Sequence, residues 1–389
     1  MMHACARNMA VTGCLMVAVG LIGCTATTPV ATVQIDASRQ LSPANARQDA
    51  DNGVCWYDAR ELLVEGKGWT DTETFYDRLP GRAKETVTET VWTRSRHASG
   101  VCVRFATDSR SIRANWTVTS PSLAMEHMPA SGMSGLDLYV RHNGRWRWLA
   151  TGMPTQQSNQ AILAKDLPPG SREYVLYLPL YNGTESLEIG VDADALLAKP
   201  APRPANRAKP VVFYGTSITH GGCASRPGMS YPAILGRWLD LPVIALGFSG
   251  SGKMEPAMAD LLAEIDAAAY VLDCLPNMQA DMVTERVEPF VHKLRAVRPA
   301  CPIILVENIT YQNSFLVAHT YSRSTRSNQA LDAGYQRMKK AGVERLYYLP
   351  GDRLLGDDGE ATVDGTHPTD LGFLRIAQAI EPVLRSALD

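Results

Sequence analysis

The sequence predicts an antiparallel β-sandwich followed by an α/β domain with a parallel sheet, because its rhythm changes at mid-chain. In residues 52–196, short alternating apolar runs are separated by turn sequences such as HNGRW and YNGT, a pattern typical of antiparallel strands. In residues 210–389, near-continuous Val/Ile/Leu runs alternate with amphipathic stretches, which indicates parallel strands covered by helices on both faces. A stretch rich in Pro and Ala, residues 197–209, is predicted to link the two domains.

The individual elements follow from these runs. The first domain is expected to contain strands at 100–107, 111–118, 136–142, 172–180 and 185–191, with no helix. The second domain is expected to alternate strands at 211–214, 242–248, 268–275, 302–308 and 345–349 with helices at 230–239, 255–265, 285–297, 327–342 and 369–388.

Length and composition exclude some classes of function. The chain has 389 residues, 45% of them hydrophobic, which suffices for two ordinary cores. Its formal charge is −2 and it has no long basic block, so no nucleic-acid partner is expected. No His/Cys group has zinc-site spacing and no cofactor fingerprint is present, so neither a metal nor a cofactor is predicted.

The N-terminus is predicted to direct export. An apolar run from Met9 to Gly23 is too short to cross a bilayer and is typical of a signal peptide, residues 1–23. The segment Leu21-Ile22-Gly23-Cys24 resembles the bacterial lipobox, which implies that Cys24 is lipidated and anchors the protein in the cell envelope, on the periplasmic or surface face of the outer membrane. The alternative is an ordinary secretory signal. Residues 24–51 are expected to form an unfolded tether.

The remaining cysteines are odd in number. They are Cys55, Cys102, Cys223, Cys274 and Cys301. In an oxidising compartment a disulfide between Cys55 and Cys102 is one possibility, which spacing alone does not establish.

Polar residues follow four of the five predicted parallel strands. Ligands of open α/β sheets bind at the carboxyl ends of the strands, so these residues are expected to share one site. A serine, a glycine-rich turn, an asparagine and an Asp/His pair are sufficient for acyl transfer, which needs a nucleophile, a base, a group that orients the base, and oxyanion donors. The candidates are Ser217 as nucleophile, His367 as base, Asp364 as its orienter, and Gly250 and Asn277 as donors, with Gly247 as a second candidate glycine.

Other interpretations of the same residues compete with this one. Ser217 could be a helix cap, and Asp364 and His367 could belong to a simple turn. The segment GFSGSGKM, residues 247–254, nearly matches a phosphate-binding P-loop. That motif requires a Ser or Thr hydroxyl for Mg²⁺ where Met254 stands, so nucleotide hydrolysis is not expected.

Four blocks in order resemble those of the SGNH (GDSL-type) hydrolases: GTSIT, LGFSGSG, LPNM and DGTH. The resemblance covers most of residues 210–389 and implies a flavodoxin-like three-layer domain. It also implies that Ser217 is the nucleophile, that its own N–H joins Gly250 and Asn277 in the oxyanion hole, and that His367 and Asp364 complete a triad. GLDLY, residues 135–139, resembles the Gly-x-Asp-Leu-Tyr motif of a β-domain that precedes a bacterial subgroup of these esterases.

This sequence departs from the family pattern at three positions. Thr216 stands where the family usually has Asp, and Leu275 and Met278 replace the Gly and Asp beside the block's asparagine. The departures leave the minimal chemistry intact and leave the shape of the substrate pocket open. Arg226 could line the cleft or form an exposed ion pair, His220 is expected to be solvated or at the substrate wall, and Asp137 is given no chemical role.

The sequence therefore predicts a surface-anchored serine esterase that removes small acyl groups, acetyl above all, from carbohydrate. Its expected partners are an ester or acetylated saccharide and, through Cys24, a membrane. The alternatives are a lipid esterase or thioesterase, and a glycan-binding lipoprotein without catalysis.

Overall fold

The computed structural model describes residues 33–389. The predicted signal peptide and Cys24 lie outside the described residues. Those described fall within one compact unit, and none of their helices is long and apolar enough to span a bilayer.

Two antiparallel sheets form the first half of the structure. One has the strand order β1-β2-β10-β5-β8, and the other has the order β11-β4-β9-β6-β7 with β3 paired to β4. Side chains alternate along β5, so that Ile112, Ala114, Trp116 and Val118 are fully buried between the sheets. The strands are β1 Arg47–Asp49, β2 Val54–Asp58, β3 Leu63–Glu65, β4 Cys102–Thr107, β5 Ile112–Val118, β6 Leu136–His142, β7 Arg145–Gly152, β8 Ser158–Ala164, β9 Arg172–Tyr177, β10 Thr184–Asp192 and β11 Leu197–Ala198.

Several predictions for this half are wrong. Two helices occur, α1 Glu89–Ser95 and α2 Ala130–Met133, where none was expected. The predicted tether contributes β1, which pairs with β2, because that pairing satisfies the backbone groups of an otherwise exposed sheet edge. The predicted linker begins with β11, whose buried Leu197 and Ala198 pair with β4. The positions of the domain boundaries stay a prediction.

The five described cysteines all have free thiols. Cys55 and Cys102 lie on different sheets, in β2 and β4, and the Cys55 thiol donates a hydrogen bond to Gln48 Oε1 at 3.0 Å. The possible Cys55–Cys102 disulfide is therefore absent from the described part of the chain.

The second half is a five-stranded parallel sheet between two layers of helices, as predicted. Its strand order, β13-β12-β14-β15-β16, is the flavodoxin-like order. The chain adds β13 on one side of β12 and then crosses to the other side, where β14, β15 and β16 follow in turn. The strands are β12 Val211–Gly215, β13 Val243–Gly247, β14 Ala269–Asp273, β15 Ile303–Val306 and β16 Leu346–Leu349. The helices are α3 Ser217–His220, α4 Tyr231–Leu239, α5 Pro256–Glu264, α6 Ala280–Val297, α7 Ala318–Lys340 and α8 Asp370–Leu388.

Each parallel strand is apolar on both faces because each face has its own core. In β12, Val212 and Tyr214 pack with α5, α6 and α7, whereas Val211 and Phe213 pack with α4 and α8. This explains the continuous apolar runs from which the sheet was predicted.

The outer face of the second antiparallel sheet packs against α4. Tyr139 and Tyr177 lie against Ala233, and the Arg237 guanidinium stacks over the Tyr139 ring at 3.9 Å. This sheet is consequently covered on both faces, and every residue of β4 is buried.

Candidate active site

A tight turn between β12 and α3 holds Ser217. Thr216 is the helix cap, since its Oγ1 accepts a hydrogen bond from the Ile218 N–H at 3.2 Å. Gly221 ends the helix one turn later with a φ of 94°, in the left-handed region that favours glycine. Because Thr216 performs the capping, the Ser217 hydroxyl is free to bind elsewhere.

The Ser217 hydroxyl meets an imidazole from the far end of the chain. Ser217 Oγ lies 2.9 Å from His367 Nε2, and His367 Nδ1 lies 2.7 Å from Asp364 Oδ2. Asp364 Oδ1 also accepts the backbone N–H groups of His367 at 2.7 Å and Thr366 at 3.0 Å. The loop between β16 and α8 thus carries both His367 and the carboxylate that orients it. Three predicted site residues lie in hydrogen-bonded contact.

The surroundings keep Asp364 ionised. Partial burial opposes ionisation, but hydrogen bonds from the His367 side chain and from the His367 and Thr366 backbones outweigh it and hold the pKa of Asp364 below its ordinary value. The carboxylate can therefore accept the His367 Nδ1–H, which leaves the Nε2 lone pair facing Ser217.

A glycine-rich turn after β13 lies beside Ser217. Gly252 has a φ of 69°, and a β-carbon there would come within 2.0 Å of the Gly215 carbonyl oxygen, so the close approach of the two turns requires glycine. Gly250, with a φ of 76°, faces open space, with no atom within 4 Å of the place where its β-carbon would be. A β-carbon on Gly247 would instead meet the His220 nitrogen at 2.1 Å, so Gly247 serves packing.

Asn277 approaches the same turn from the end of β14. Its Nδ2 donates to the Ser251 carbonyl oxygen at 2.6 Å, an interaction that uses one of its two amide hydrogens. The second hydrogen remains for a ligand. Ser217 and Asn277 follow β12 and β14, the strands that flank one point where the chain reverses direction along the sheet, which is where open α/β sheets bind ligands.

Comparison with known proteins shows the family to which this chain belongs. The GDSL-like lipase/acylhydrolase family model matches residues 208–385, and the model of the GxDLY N-terminus of SGNH-hydrolase-type esterases matches residues 54–197. A solved protein from Bacteroides ovatus described as a GDSL-like lipase is 36% identical, with a TM-score of 0.81 over 86% of this chain and 98% of that chain. The chain belongs to the SGNH (GDSL-type) hydrolase family. It is thus a member of a family of ester hydrolases.

More distant structures share the fold. A salicylyl-acyltransferase from a tetracycline biosynthetic pathway is 20% identical, with a TM-score of 0.64 over 90% of this chain and 97% of that chain. A family two carbohydrate esterase from Clostridium thermocellum, solved with cellohexaose, is 14% identical, with a TM-score of 0.56 over 75% of this chain and 93% of that chain. Comparison with curated proteins gives no match.

The environment predicted for His220 is wrong. His220 is fully buried at the end of α3, where its ring stacks on Tyr181 with a centroid distance of 4.1 Å and its Nε2 lies 3.4 Å from His97 Nδ1. Burial, together with the nearby positive charge of Arg78, lowers the pKa of His220 well below its ordinary value. The ring is therefore neutral and packs in the interior at the end of α3, of which His220 is the last residue.

Arg78, which the sequence gave no reason to select, secures the turn from the other half of the molecule. Its buried guanidinium donates to the carbonyl oxygens of Ala245 and Gly247, each at 2.9 Å, where β13 leads into the glycine-rich turn. Burial lowers the pKa of Arg78 to about 9. The segment between β3 and α1 thus stabilises the strand end that carries Gly250.

The Asp of the GLDLY motif also joins the two halves. The fully buried Asp137 accepts hydrogen bonds from Arg226 Nη1 at 2.7 Å, Gly228 N–H at 2.8 Å and Trp148 Nε1 at 3.0 Å. Burial raises the pKa of Asp137, while Arg226 acts in the opposite direction. Arg226 therefore forms an ion pair that joins the two halves of the structure, and the motif positions the loop that follows α3.

The segment between β5 and β6 brings Met128 and His127 to the site. Met128 is buried in the same core as Ile218, and Gly132 packs against the Ala224 carbonyl oxygen. The exposed His127 ring lies edge-on to the His367 ring with a centroid distance of 5.8 Å. A sequence pattern could not place this histidine, since the loop contacts the site only through tertiary folding.

A buried carboxyl group that contacts α3 is expected to make stability depend on pH. Asp273 Oδ2 accepts hydrogen bonds from Tyr231 at 3.0 Å and Thr219 at 3.2 Å, yet burial dominates and raises the pKa of Asp273 to about 7. A raised pKa means that the folded state binds this proton more tightly than the unfolded state, so the stabilisation is complete below about pH 4 and is lost as pH rises through about 7. Asp273→Asn mimics the protonated form without titrating.

The free energies of unfolding of wild type and Asp273→Asn, measured by urea denaturation, should therefore diverge with pH. Between pH 4 and pH 8 the variant should gain on the order of 2–4 kcal/mol relative to wild type. Asp194→Asn, at an exposed position, is the control for loss of a carboxylate. Parallel pH profiles for wild type and Asp273→Asn would contradict this assignment.

Proposed function

We propose that the protein is a serine esterase that removes small acyl groups, acetyl above all, from carbohydrate. The observation that carries the proposal is the continuous chain of contacts from Ser217 Oγ to His367 Nε2 at 2.9 Å and from His367 Nδ1 to Asp364 Oδ2 at 2.7 Å. This is the arrangement that nucleophilic acyl transfer requires.

In the first step the Ser217 oxygen attacks the ester carbonyl carbon. His367 Nε2 takes the serine proton as the C–O bond forms, and Asp364 stabilises the resulting imidazolium. The tetrahedral intermediate collapses when His367 gives that proton to the departing alcohol oxygen. The products of this step are a free alcohol and an acyl group on Ser217.

Three donors are proposed to stabilise the oxyanion. Ser217 is the first residue of α3, so its N–H has no acceptor within the helix. Gly250 N–H lies in an open turn, and Asn277 retains an amide hydrogen beyond the one given to Ser251. Loss of one such donor typically costs about 10²–10³-fold in kcat.

Hydrolysis of the acyl-enzyme repeats the cycle with water. His367 takes a proton from the water as its oxygen attacks the acyl carbon, and returns the proton to Ser217 Oγ as the bond to serine breaks. The free acid is released and the enzyme is restored. Neither a metal nor a cofactor enters any of these steps.

The solvent exposure of the site near His367 and Asp364 favours a substrate whose alcohol portion is bulky and polar. The Ser217 residue is only 7% exposed, whereas the Asp364 side chain is 43% exposed. An alcohol that belongs to a saccharide could therefore remain largely in solvent while a small acyl group enters. The fold shared with a carbohydrate esterase supports this substrate class.

An acyl-chain series tests the substrate class. The purified full-length protein should turn over p-nitrophenyl acetate with a kcat/KM about tenfold or more above that for the octanoate. A pocket that fits a small acyl group binds the transition state less well for each methylene that it cannot accommodate. Acetate release from acetylated xylan and mannan oligosaccharides is measured alongside, with acetyl-CoA as the thioester. A preference for octanoate or for the thioester would instead support the lipid esterase or thioesterase alternative. Saccharide binding without turnover of any ester would support a non-catalytic glycan-binding protein.

The proposal places the enzyme in the bacterial cell envelope. The support is the sequence Leu21-Ile22-Gly23-Cys24, whose resemblance to the lipobox would make Cys24 the site of lipid attachment. Cys24→Ser should move the protein from the membrane fraction to the soluble fraction. Retention of the variant in the membrane would contradict the anchor.

A further inference from the structure

Three metal-binding side chains meet beside the proposed nucleophile, although they are far apart in sequence. Each of His127, Cys223 and His367 has a ligand atom within 4.8 Å of those of the other two. His127 comes from the loop between β5 and β6, Cys223 from the loop after α3, and His367 from the loop before α8. Motif spacing could not reveal this group, because three separate loops bring it together.

We infer that these three residues form an inhibitory zinc site that captures the imidazole of His367. Two imidazoles and a thiolate are ligands that zinc favours over calcium or magnesium. A site with three protein ligands leaves the fourth tetrahedral position for water. The inhibitory effect rests on the proposed function, whereas zinc binding itself does not.

The three ligand atoms would have to move only a short way toward one another to bind zinc. Tetrahedral zinc with bonds of about 2.0–2.3 Å holds its ligand atoms about 3.3–3.6 Å apart, so no pair has to close by more than about 1.5 Å. His127 is exposed and can rotate, while Cys223 is buried and already next to the other two. The Cys223 backbone has a φ of 73°, a conformation uncommon for residues other than glycine.

The His367–Asp364 contact already supplies the outer support of a zinc ligand. Histidines that bind zinc commonly donate their other ring N–H to a carboxylate, which fixes the ring and makes the ligating nitrogen more basic. Here His367 Nδ1 is held by Asp364 Oδ2 at 2.7 Å, so Nε2 is the nitrogen available to zinc. The hydrogen bond to Asp364 that would make His367 an effective base would also make it an effective zinc ligand.

Zinc binding and catalysis are therefore mutually exclusive. The Nε2 lone pair that must accept the Ser217 proton would be donated to the metal, and the hydrogen bond to Ser217 would be lost. Cys223 would release its thiol proton to solvent on binding zinc. The cluster would thus let the free zinc concentration switch the esterase reversibly.

An activity titration tests the inhibitory effect. For the full-length enzyme, micromolar zinc chloride should abolish most turnover of p-nitrophenyl acetate, and excess EDTA should restore it. In Cys223→Ser and His127→Ala, the zinc concentration for half-inhibition should rise by about tenfold or more, since loss of a ligand costs at least as much as loss of a residue that supports one. Cys301→Ser and His142→Ala, which lie outside the cluster, are the matched controls and should behave as wild type. Equal inhibition of all five proteins would overturn the site.

A binding measurement separates this site from the proposed function. Ser217→Ala keeps all three ligands, so calorimetry should show one zinc ion bound per chain whether or not the protein is an esterase. Cobalt substituted for zinc should give a thiolate charge-transfer absorption that Cys223→Ser lacks. Absence of both signals would overturn the inference while leaving the esterase proposal intact, whereas zinc binding to a wild-type protein that turns over no ester would overturn the esterase proposal alone.

Discussion

Replacing Ser217 with alanine is expected to lower kcat/KM for p-nitrophenyl acetate by about 10³-fold or more. The hydroxyl is the only group of the proposed triad that would form a bond to the acyl carbon. Thr216 performs the capping of α3 through its own side chain, so the alanine variant should fold normally. Initial rates and the urea denaturation midpoint, measured on the same preparation, check both parts.

The double variant Ser217→Ala/His367→Ala tests whether the two residues act together. Residues that act as one unit are strongly non-additive, so the double variant should be about as slow as the worse single variant. Ser186→Ala, at an exposed position of β10, is the control and should retain wild-type rates. Multiplicative losses in the double variant would contradict joint action of Ser217 and His367.

The second large effect is expected at Asp137, on stability. Asp137→Ala should lower the free energy of unfolding by about 3–5 kcal/mol, because it leaves the partly buried Arg226 without its carboxylate. Gly228 N–H and Trp148 Nε1 also lose their acceptor. Urea denaturation followed by tryptophan fluorescence measures the loss.

Two further variants test whether the loss comes from the ion pair. Asp194→Ala removes an exposed carboxylate and should change stability by no more than about 0.5 kcal/mol. In the double variant Asp137→Ala/Arg226→Met, part of the lost stability should return, because the orphaned charge is gone. A loss for Asp137→Ala no larger than that for Asp194→Ala would show that the motif does not join the two halves.

The parallel sheet could be predicted because its signals are local. Strands such as β12 and β14 are buried on both faces, so they read as unbroken apolar runs. The same topology brings the residues after each strand to one edge, which is why Ser217 and His367 could be expected to meet. The structure places them in contact, and their catalytic roles remain to be tested.

What escaped prediction depends on contacts between distant segments. Strand β1 forms because β2 offers an unpaired edge, although its own three residues are polar. His220 was expected in solvent or at the substrate wall, but Tyr181 and His97 from the first half enclose it. Nothing near Arg78 in the sequence indicates that its acceptors are the carbonyl groups of β13. Composition and periodicity carry no information about such pairings.

Covalent trapping tests the central claim most directly, namely that Ser217 is a nucleophile activated by His367. The full-length protein is incubated with an alkyl fluorophosphonate, and the modified residue is located by peptide mass spectrometry. We expect one adduct per chain, on Ser217, formed together with loss of esterase activity and strongly slowed in His367→Ala. An adduct on another residue, or continued turnover of p-nitrophenyl acetate after complete labelling of Ser217, would contradict the account.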